Sequence, residues 1–121
     1  MYKRQQYKGI VVGTGNKVED YGVGFYTKYG DGGVDIAPIA DLYKSEVWDL
    51  GKSLGVDSRI IEAKPTDGLW DDGRTDEDQL GATYSELEEA METGKGTGLK
   101  VLEEYARMNA HKMNPIPTFT L

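Results

Sequence analysis

The sequence has no cysteine, a single histidine, and 14 basic residues against 21 acidic ones, for a net charge of -7. Each shortage excludes something. Without cysteine there are no disulfides, no thiol nucleophile and no thiolate metal ligands, and a reducing compartment is allowed. One histidine cannot form the histidine cluster of a zinc site, and no Ser/His/Asp arrangement is offered for nucleophilic catalysis. The acidic balance argues against general binding to nucleic acid or to an anionic membrane surface, both of which need a basic face. A phosphate-bearing small ligand is still allowed, because a few local lysines and a metal ion can reverse the sign inside a pocket. Long apolar runs are missing too. Nothing approaches the roughly 20 apolar residues of a membrane span. Met1-Tyr2-Lys3-Arg4-Gln5-Gln6 is charged but leads into no long apolar run, so it does not read as a signal peptide. We expect a soluble protein.

What is present in excess is glycine, with 16 in 121 residues against a usual frequency of about 7%. That favours turns and close backbone approach over thick packing. The length suits at most one domain of ordinary size, able to bury roughly two-thirds of its unfolded surface.

The stretch that organises the rest is Val12-Gly13-Thr14-Gly15-Asn16-Lys17-Val18-Glu19-Asp20, followed by Thr27-Lys28-Tyr29-Gly30-Asp31-Gly32-Gly33-Val34-Asp35. Gly9-Ile10-Val11-Val12-Gly13 is a short β-branched run bounded by glycines, the pattern of a parallel strand buried on both faces. Val34-Asp35-Ile36 is a weaker strand. A doubly buried strand needs neighbours on both sides, and the chain hardly supplies them. The expectation is a C-terminal piece of a larger α/β fold, with a small α+β domain as the alternative.

The spacing of Tyr43, Val47, Leu50, Gly51 and Leu54 predicts a helix over 42–54, with Asp41 as N-cap and Gly55 just past its end. Lys44 falls in its first turn, where the helix dipole disfavours a cation. Either an anion lies opposite it or the side chain extends into water. A short helix is expected over 58–63. Residues 65–75 read as an irregular loop that exposes Leu69 and Trp70 among acids, and a loop of that kind is commonly a lid. Thr75 with Asp78, and Thr83 with Glu86, predict helix starts. Glu86, Glu88, Glu89 and Glu92 read as a solvated face. A last helix over 99–109 is expected to bury Leu99, Leu102, Tyr105 and Ala106, with His111-Lys112 beyond it and the prolines enforcing an extended tail.

Polar groups crowd behind the first strand. Thr14 and Asn16 offer hydrogen bonds, and Glu19 is a possible ligand for a hard metal such as magnesium, which takes one or two carboxylates plus phosphate oxygens. The second glycine turn is followed by Val34-Asp35-Ile36 and not by a helix, so it is not a nucleotide P-loop. Lys28 stands among Phe25, Tyr26 and Tyr29, which would restrict its ammonium group. His111 reads as structural or, paired with Lys112, as a phosphate contact.

Taken together, the first turn through Glu19, the Thr27-Lys28-Tyr29-Gly30-Asp31-Gly32-Gly33-Val34-Asp35-Ile36 run, Leu42-Tyr43-Lys44-Ser45-Glu46-Val47, the Pro65-Thr66 loop with Thr75-Asp76-Glu77-Asp78, and the closing His111-Lys112 resemble the ammonia-dependent NAD synthetases. The resemblance runs in order from Gly9 onward and implies the C-terminal part of a Rossmann-like parallel-sheet fold of the N-type ATP pyrophosphatase (adenine nucleotide alpha hydrolase-like) class, mostly helical here. It implies domain residues 9–121 and leaves residues 1–8 unassigned, consistent with an artefactual start. It also implies a cytoplasmic ligase that adenylates the carboxylate of deamido-NAD with ATP and magnesium, after which ammonia displaces AMP.

By motif, Thr14, Lys44 and Thr66 would contact ATP, and Glu19 would bind Mg2+. Lys28, Asp35, His111 and Lys112 would hold deamido-NAD, and no side chain would act as a covalent catalyst. The family forms homodimers, which leaves the state of this chain open. One departure is large: the serine-glycine-glycine-x-aspartate-serine loop that cradles the ATP phosphates in the family is absent. The chain alone is therefore expected to be inactive, and a non-catalytic binder of deamido-NAD or NAD, or a partner of a full-length subunit, is the alternative.

Overall fold

The computed structural model describes residues 2–120. Helix α1 (Tyr2–Tyr7) leads into an extended segment that carries the strand-like run. That run makes a single parallel bridge, Val12 to Ile36, flanked by Gly13 N–H donating to the Ile36 carbonyl at 2.7 Å and Asp35 N–H donating to the Val11 carbonyl at 2.9 Å. The expected pairing of the two strand-like segments is present, but the expected burial is not: Ile10, Val12 and Ile36 are 62%, 52% and 45% exposed. No further strand among the described residues flanks the pair, and two short segments cannot cover both of their own faces.

The chain then turns into a π-helix (Lys17–Val23) that the sequence reading had not anticipated. Asn16 caps it: its Oδ1 accepts from Val18 N–H at 2.9 Å and Glu19 N–H at 3.1 Å, while Glu19 Oε2 reaches back to Asn16 N–H at 3.3 Å. Polar side chain, then Glu three residues on, is the reciprocal capping pattern, and it was legible in Asn16-Lys17-Val18-Glu19. The helix ends at Gly24, whose φ of 64° favours glycine.

Helix α2 (Lys44–Ser53) begins two residues later than expected. Asp41 is not its cap. It lies outside the helix and pairs with Lys17 at 3.2 Å, and the residue before the helix is Tyr43, whose N–H donates to Glu46 Oε2 at 2.8 Å. The helix gains a second, long-range cap: Glu88 accepts from Ser45 N–H at 3.0 Å and Ser45 Oγ at 2.6 Å. That corrects the view of residues 86–92 as a solvated face, since Glu88 is half-buried and places a carboxylate at a helix N-terminus, where the dipole favours it. Gly55 follows the helix with a φ of 73°, as expected.

Helix α3 (Ser58–Ile61) is one turn and shorter than expected. Residues 64–75 carry no regular structure, as the glycine and polar content predicted, and Asp76 N–H donating to the Pro65 carbonyl at 3.0 Å closes their base. Helices α4 (Asp76–Leu80) and α5 (Tyr84–Thr93) start with the two predicted capping boxes, Thr75 with Asp78 and Thr83 with Glu86. Helix α6 (Leu99–Met113) runs past residue 109 and contains His111 and Lys112. Its inner face is half-buried Leu99, Val101, Leu102, Tyr105 and Asn109, whereas Ala106, expected inside, is exposed. The extended tail follows from Asn114.

The core forms where the π-helix, α4, α5 and α6 meet. Val18, Val23, Leu80, Ala82, Tyr84 and Leu87 are buried, with Phe25, Tyr43, Met91, Val101, Leu102 and Tyr105 against them. Two polar contacts pin α6 to this core: Tyr105 Oη donates to the Gln79 carbonyl at 3.0 Å and Asn109 Nδ2 to the Val23 carbonyl at 2.7 Å. No helix among the described residues is long and apolar enough to cross a membrane.

Candidate functional site

Four segments far apart in sequence converge on one cavity of about 360 Å³, lined by Thr14, Glu19, Phe25, Asp31, Lys44, Pro65, Thr66, Asp67 and Asp76. Thr14 comes from the turn after the bridge, Glu19 from the first turn of the π-helix, Lys44 from the start of α2, and Thr66 from the irregular loop. These are the three residues expected at ATP and the one expected at magnesium, and the fold brings all four together. The odd placement of Lys44 is resolved by an anion: its Nζ lies 2.8 Å from Glu19 Oε1, in a pair whose side chains are only 18% and 16% exposed.

The cavity continues into two smaller spaces that share lining residues with it. One of about 100 Å³ lies over Gly13, Thr14 and Gly15, between Glu19, Asp20 and Asp31. The Asp20 carboxylate packs directly over Gly15, and a Cβ there would displace it. Burial, followed by the charges of Glu19 and Asp31, raises the Asp20 carboxyl to about 6. The other, of about 230 Å³, is lined by Phe25, Tyr26, Thr27, Asp31, Asp67, Leu69 and Lys112. Lys112 donates to the Gly24 carbonyl at 2.6 Å and sits 5.3 Å from the centre of the Tyr26 ring; burial lowers its pKa.

Lys28 and His111 meet at the C-terminal end of α6. Lys28 Nζ donates to the His111 carbonyl at 2.8 Å and to the Asn114 carbonyl, while His111 Nδ1 lies 3.2 Å from the Met108 carbonyl. Of the residues expected at deamido-NAD, Lys28, His111 and Lys112 are thus brought to one corner, with Lys112 on the cleft wall. Asp35 is not brought to them. It is exposed beside the bridge and its Oδ2 accepts from Val11 N–H at 2.7 Å.

Sequence reasoning did not single out Asp76 and Tyr84, which stand behind Glu19. Tyr84 Oη lies 2.8 Å from Glu19 Oε1 and 3.0 Å from Asp76 Oδ2. Burial, then the Glu19 charge, raises the Tyr84 pKa, so the phenol stays protonated; burial also raises Asp76. Asp76 Oδ1 is buried with no hydrogen-bond partner.

Charge on the cleft is unbalanced. Glu19, Asp20, Asp31, Asp67 and Asp76 face Lys44 and Lys112. A polyanion entering such a space needs further positive charge, which a divalent cation supplies. Among the described residues no three acidic or histidine side chains converge as a ready-made metal site. Magnesium does not require one: it is commonly held by one or two carboxylates and by substrate phosphates. The Glu19 carboxylate on the cavity wall and its acidic surroundings fit that mode.

Comparison with known proteins bears on the family and the fold. The NAD synthase family model matches residues 1–117. An NH(3)-dependent NAD(+) synthetase of Archaeoglobus fulgidus is 46% identical over 115 residues, which is 95% of this chain and 42% of that protein. One from Methanococcoides burtonii is 50% identical over 91 residues, 75% of this chain and 34% of the other. The chain therefore spans well under half the length of these relatives.

Among solved structures, the NMN synthetase of Francisella tularensis superposes with a TM-score of 0.84 at 40% identity, covering 99% of this chain and 50% of that one. The NH3-dependent NAD synthetase of Campylobacter jejuni, in complex with nitrate, gives 0.67 at 28%, covering 98% and 49%. The expected Rossmann-like ATP pyrophosphatase architecture, mostly helical over this stretch, is the one these neighbours share with it. With the family model matched over nearly every residue and the fold shared with both structures, the chain belongs to the NAD synthase family.

Proposed function

We propose that this chain carries the C-terminal share of the site at which a nicotinic acid dinucleotide is amidated to NAD at the expense of ATP. The observation that supports this best is the convergence of Thr14, Glu19, Lys44 and Thr66 on one cavity. In the reaction, a carboxylate oxygen of deamido-NAD attacks the α-phosphorus of ATP and the bond to pyrophosphate breaks. Ammonia then attacks the activated carbonyl carbon, the bond to AMP breaks, and the nitrogen loses a proton. Neither step needs a protein nucleophile. What the protein supplies is alignment and fixed positive charge where negative charge develops.

Lys44, held between Glu19 and the Tyr84 ring, presents an ammonium to the triphosphate; Thr14 and Thr66 line the same cavity and offer hydroxyls. Glu19 would hold magnesium, which neutralises phosphate charge when bound. Lys28, His111 and Lys112 at the other end, and Asp35 if the dinucleotide reaches the bridge, would hold deamido-NAD. The remaining phosphate contacts, including the glycine-rich loop that this chain lacks, would come from the half of the relatives it does not span, so the 121-residue chain by itself should bind better than it turns over. In a cytoplasmic, dimeric setting the ammonia would be taken from solution or from a partner.

A second reading concerns the substrate. The similarity to an NMN synthetase favours a mononucleotide acid as an alternative to the dinucleotide. Calorimetry on the full chain tests both. MgATP should bind and Lys44→Ala should weaken it about tenfold to a hundredfold, the loss of one charged hydrogen bond. Lys28→Ala should spare MgATP and weaken whichever acid, deamido-NAD or nicotinate mononucleotide, is the substrate. Absence of heat with all three ligands at millimolar concentration would remove the proposal.

A further inference from the structure

Two side chains beside Glu19, Tyr84 and the cavity-lining Asp76, have so far been given no part in arranging the site. Tyr84, the first residue of α5, is 2% exposed, and Asp76, the first of α4, is 7% exposed. Burying a hydroxyl and a carboxylate is costly unless each is answered by a partner. The Tyr84 hydroxyl reaches Glu19 Oε1 and Asp76 Oδ2, at 2.8 and 3.0 Å. Its ring lies under the Lys44 ammonium, 5.0 Å from Nζ to centroid, and meets Trp48 edge-on at 6.4 Å. Lys44 Nζ closes the circuit on the same Glu19 oxygen.

We propose that Tyr84 is a positioning residue for this site: its hydroxyl holds the Glu19 carboxylate, its ring carries the Lys44 ammonium, and Asp76 orients the hydroxyl from behind. This rests on the reading that Glu19 and Lys44 face magnesium and ATP. Both are long, flexible side chains, and a site is only as accurate as the groups that lock its rotamers. Glu19 is tied at one oxygen by Asn16 N–H and at the other by Tyr84 and Lys44, so its carboxylate plane is fixed from two sides. Asp76 keeps Oδ1 buried and unpartnered, a cost that a residue serving packing alone has no reason to carry. Its ordered contact is the one with Tyr84.

Tyr84→Phe removes the hydroxyl and keeps the ring. In the full chain, MgATP affinity measured by calorimetry should fall about tenfold for Tyr84→Phe, the cost of one hydrogen bond to a charged group. In a Glu19→Ala background the same change should have less than a twofold effect, because the group being positioned is gone. Equal losses in both backgrounds, or none in either, would overturn the proposal. Glu19→Ala alone tests the underlying reading: if it leaves MgATP binding intact, that reading fails and not this one.

The contact itself is read independently by the carbon resonance of the Glu19 carboxylate, which should shift in Tyr84→Phe without any ligand. An unchanged resonance would refute the inference whatever the chain binds. If Tyr84→Phe does not fold, Asp76→Ala carries the test. It should weaken MgATP less than threefold to fivefold but in the same direction, again only when Glu19 is present. An effect that survives Glu19→Ala would show that Asp76 does not act through Glu19, and would overturn its part in the proposal.

Discussion

The same kinds of aliphatic side chain end in opposite conditions on the two sides of this molecule. On one side the π-helix, α4, α5 and α6 close over Val18, Val23 and Leu87, all fully buried. On the other, Ile10, Val12 and Ile36 at the bridge, and Leu50, Leu54, Val56 and Ile60 along α2 and α3, remain open to solvent. Side-chain chemistry does not separate the two groups; the supply of partners does. On the closed side α4, α5 and α6 follow one another through short turns, and they pack onto the π-helix, which the chain left before α2 and α3. The bridge has one short parallel neighbour and nothing on its far side among the described residues. A hydrophobic pattern states that a face needs cover, and says nothing about whether the cover lies in the same chain. The cleft straddles this divide, taking Glu19, Asp76 and Lys112 from the closed side and Thr14 from the open one.

The contrast is broken or confirmed most forcefully by paired truncations. Leu87→Ala empties a fully buried site and should cost about 2–5 kcal/mol. Leu54→Ala, at a site 73% exposed, should stay within about 0.5 kcal/mol. Chemical denaturation of the two variants checks both. Comparable losses would mean that the α2 face is covered in solution, for instance by another molecule, and the distinction between sides would fall.

Asn16 sits where the two sides join, and its replacement should have the next largest effect. It is 1% exposed, and Oδ1 answers two backbone N–H groups that have no other partner at the π-helix start. Asn16→Ala should lose roughly 1–3 kcal/mol, a cap plus the penalty of buried donors left unpaired. Asn16→Asp should recover most of it, since a carboxylate oxygen accepts the same bonds. Because Glu19 is the other half of this capping pair, Asn16→Ala should also weaken MgATP, linking stability of the junction to the proposed site.

How much of this was legible in the sequence depends on how local the cause is. The capping boxes at Thr75 and Thr83 and the glycine stop at Gly55 follow from contacts within four residues, the irregular 65–75 loop follows from local composition, and all are present. The resemblance located Thr14, Glu19, Lys44 and Thr66, and the fold assembles them. The π-helix was missed although Asn16 and Glu19 have capping spacing, because the glycine turn drew the reading toward a loop. The end of α6 was placed four residues early: Pro115 restricts only the residue before it, Asn114, which is extended with φ -93° and ψ 153°, so the helix can run to Met113. Glu88 capping α2 and Tyr84 bracing Glu19 span 43 and 65 residues of sequence, and no local pattern announces either.

The smallest expected effect is the one that distinguishes the sides by pH. Glu86 belongs to the closed side without being buried in its core: Oε2 accepts from Thr83 N–H at 2.9 Å and Oγ at 3.0 Å, and Oε1 from Thr97 Oγ at 2.7 Å. The Thr83 backbone N–H, followed by the Thr97 hydroxyl, holds its carboxyl below the usual glutamate range. An acid whose pKa is lower folded than unfolded stabilises the fold at pH above its unfolded value, and that contribution disappears as pH falls through the folded one. The thermal midpoint of Glu86→Ala should therefore lie slightly below that of the unaltered chain near neutral pH, and the gap should narrow below about pH 4.3, where the unfolded carboxyl takes up its proton. The gap for Leu87→Ala should persist across the same range, since no charge is involved. If the Glu86→Ala gap instead stays constant with pH, the cap is held by Thr83 alone and the carboxylate contributes nothing to the start of α5.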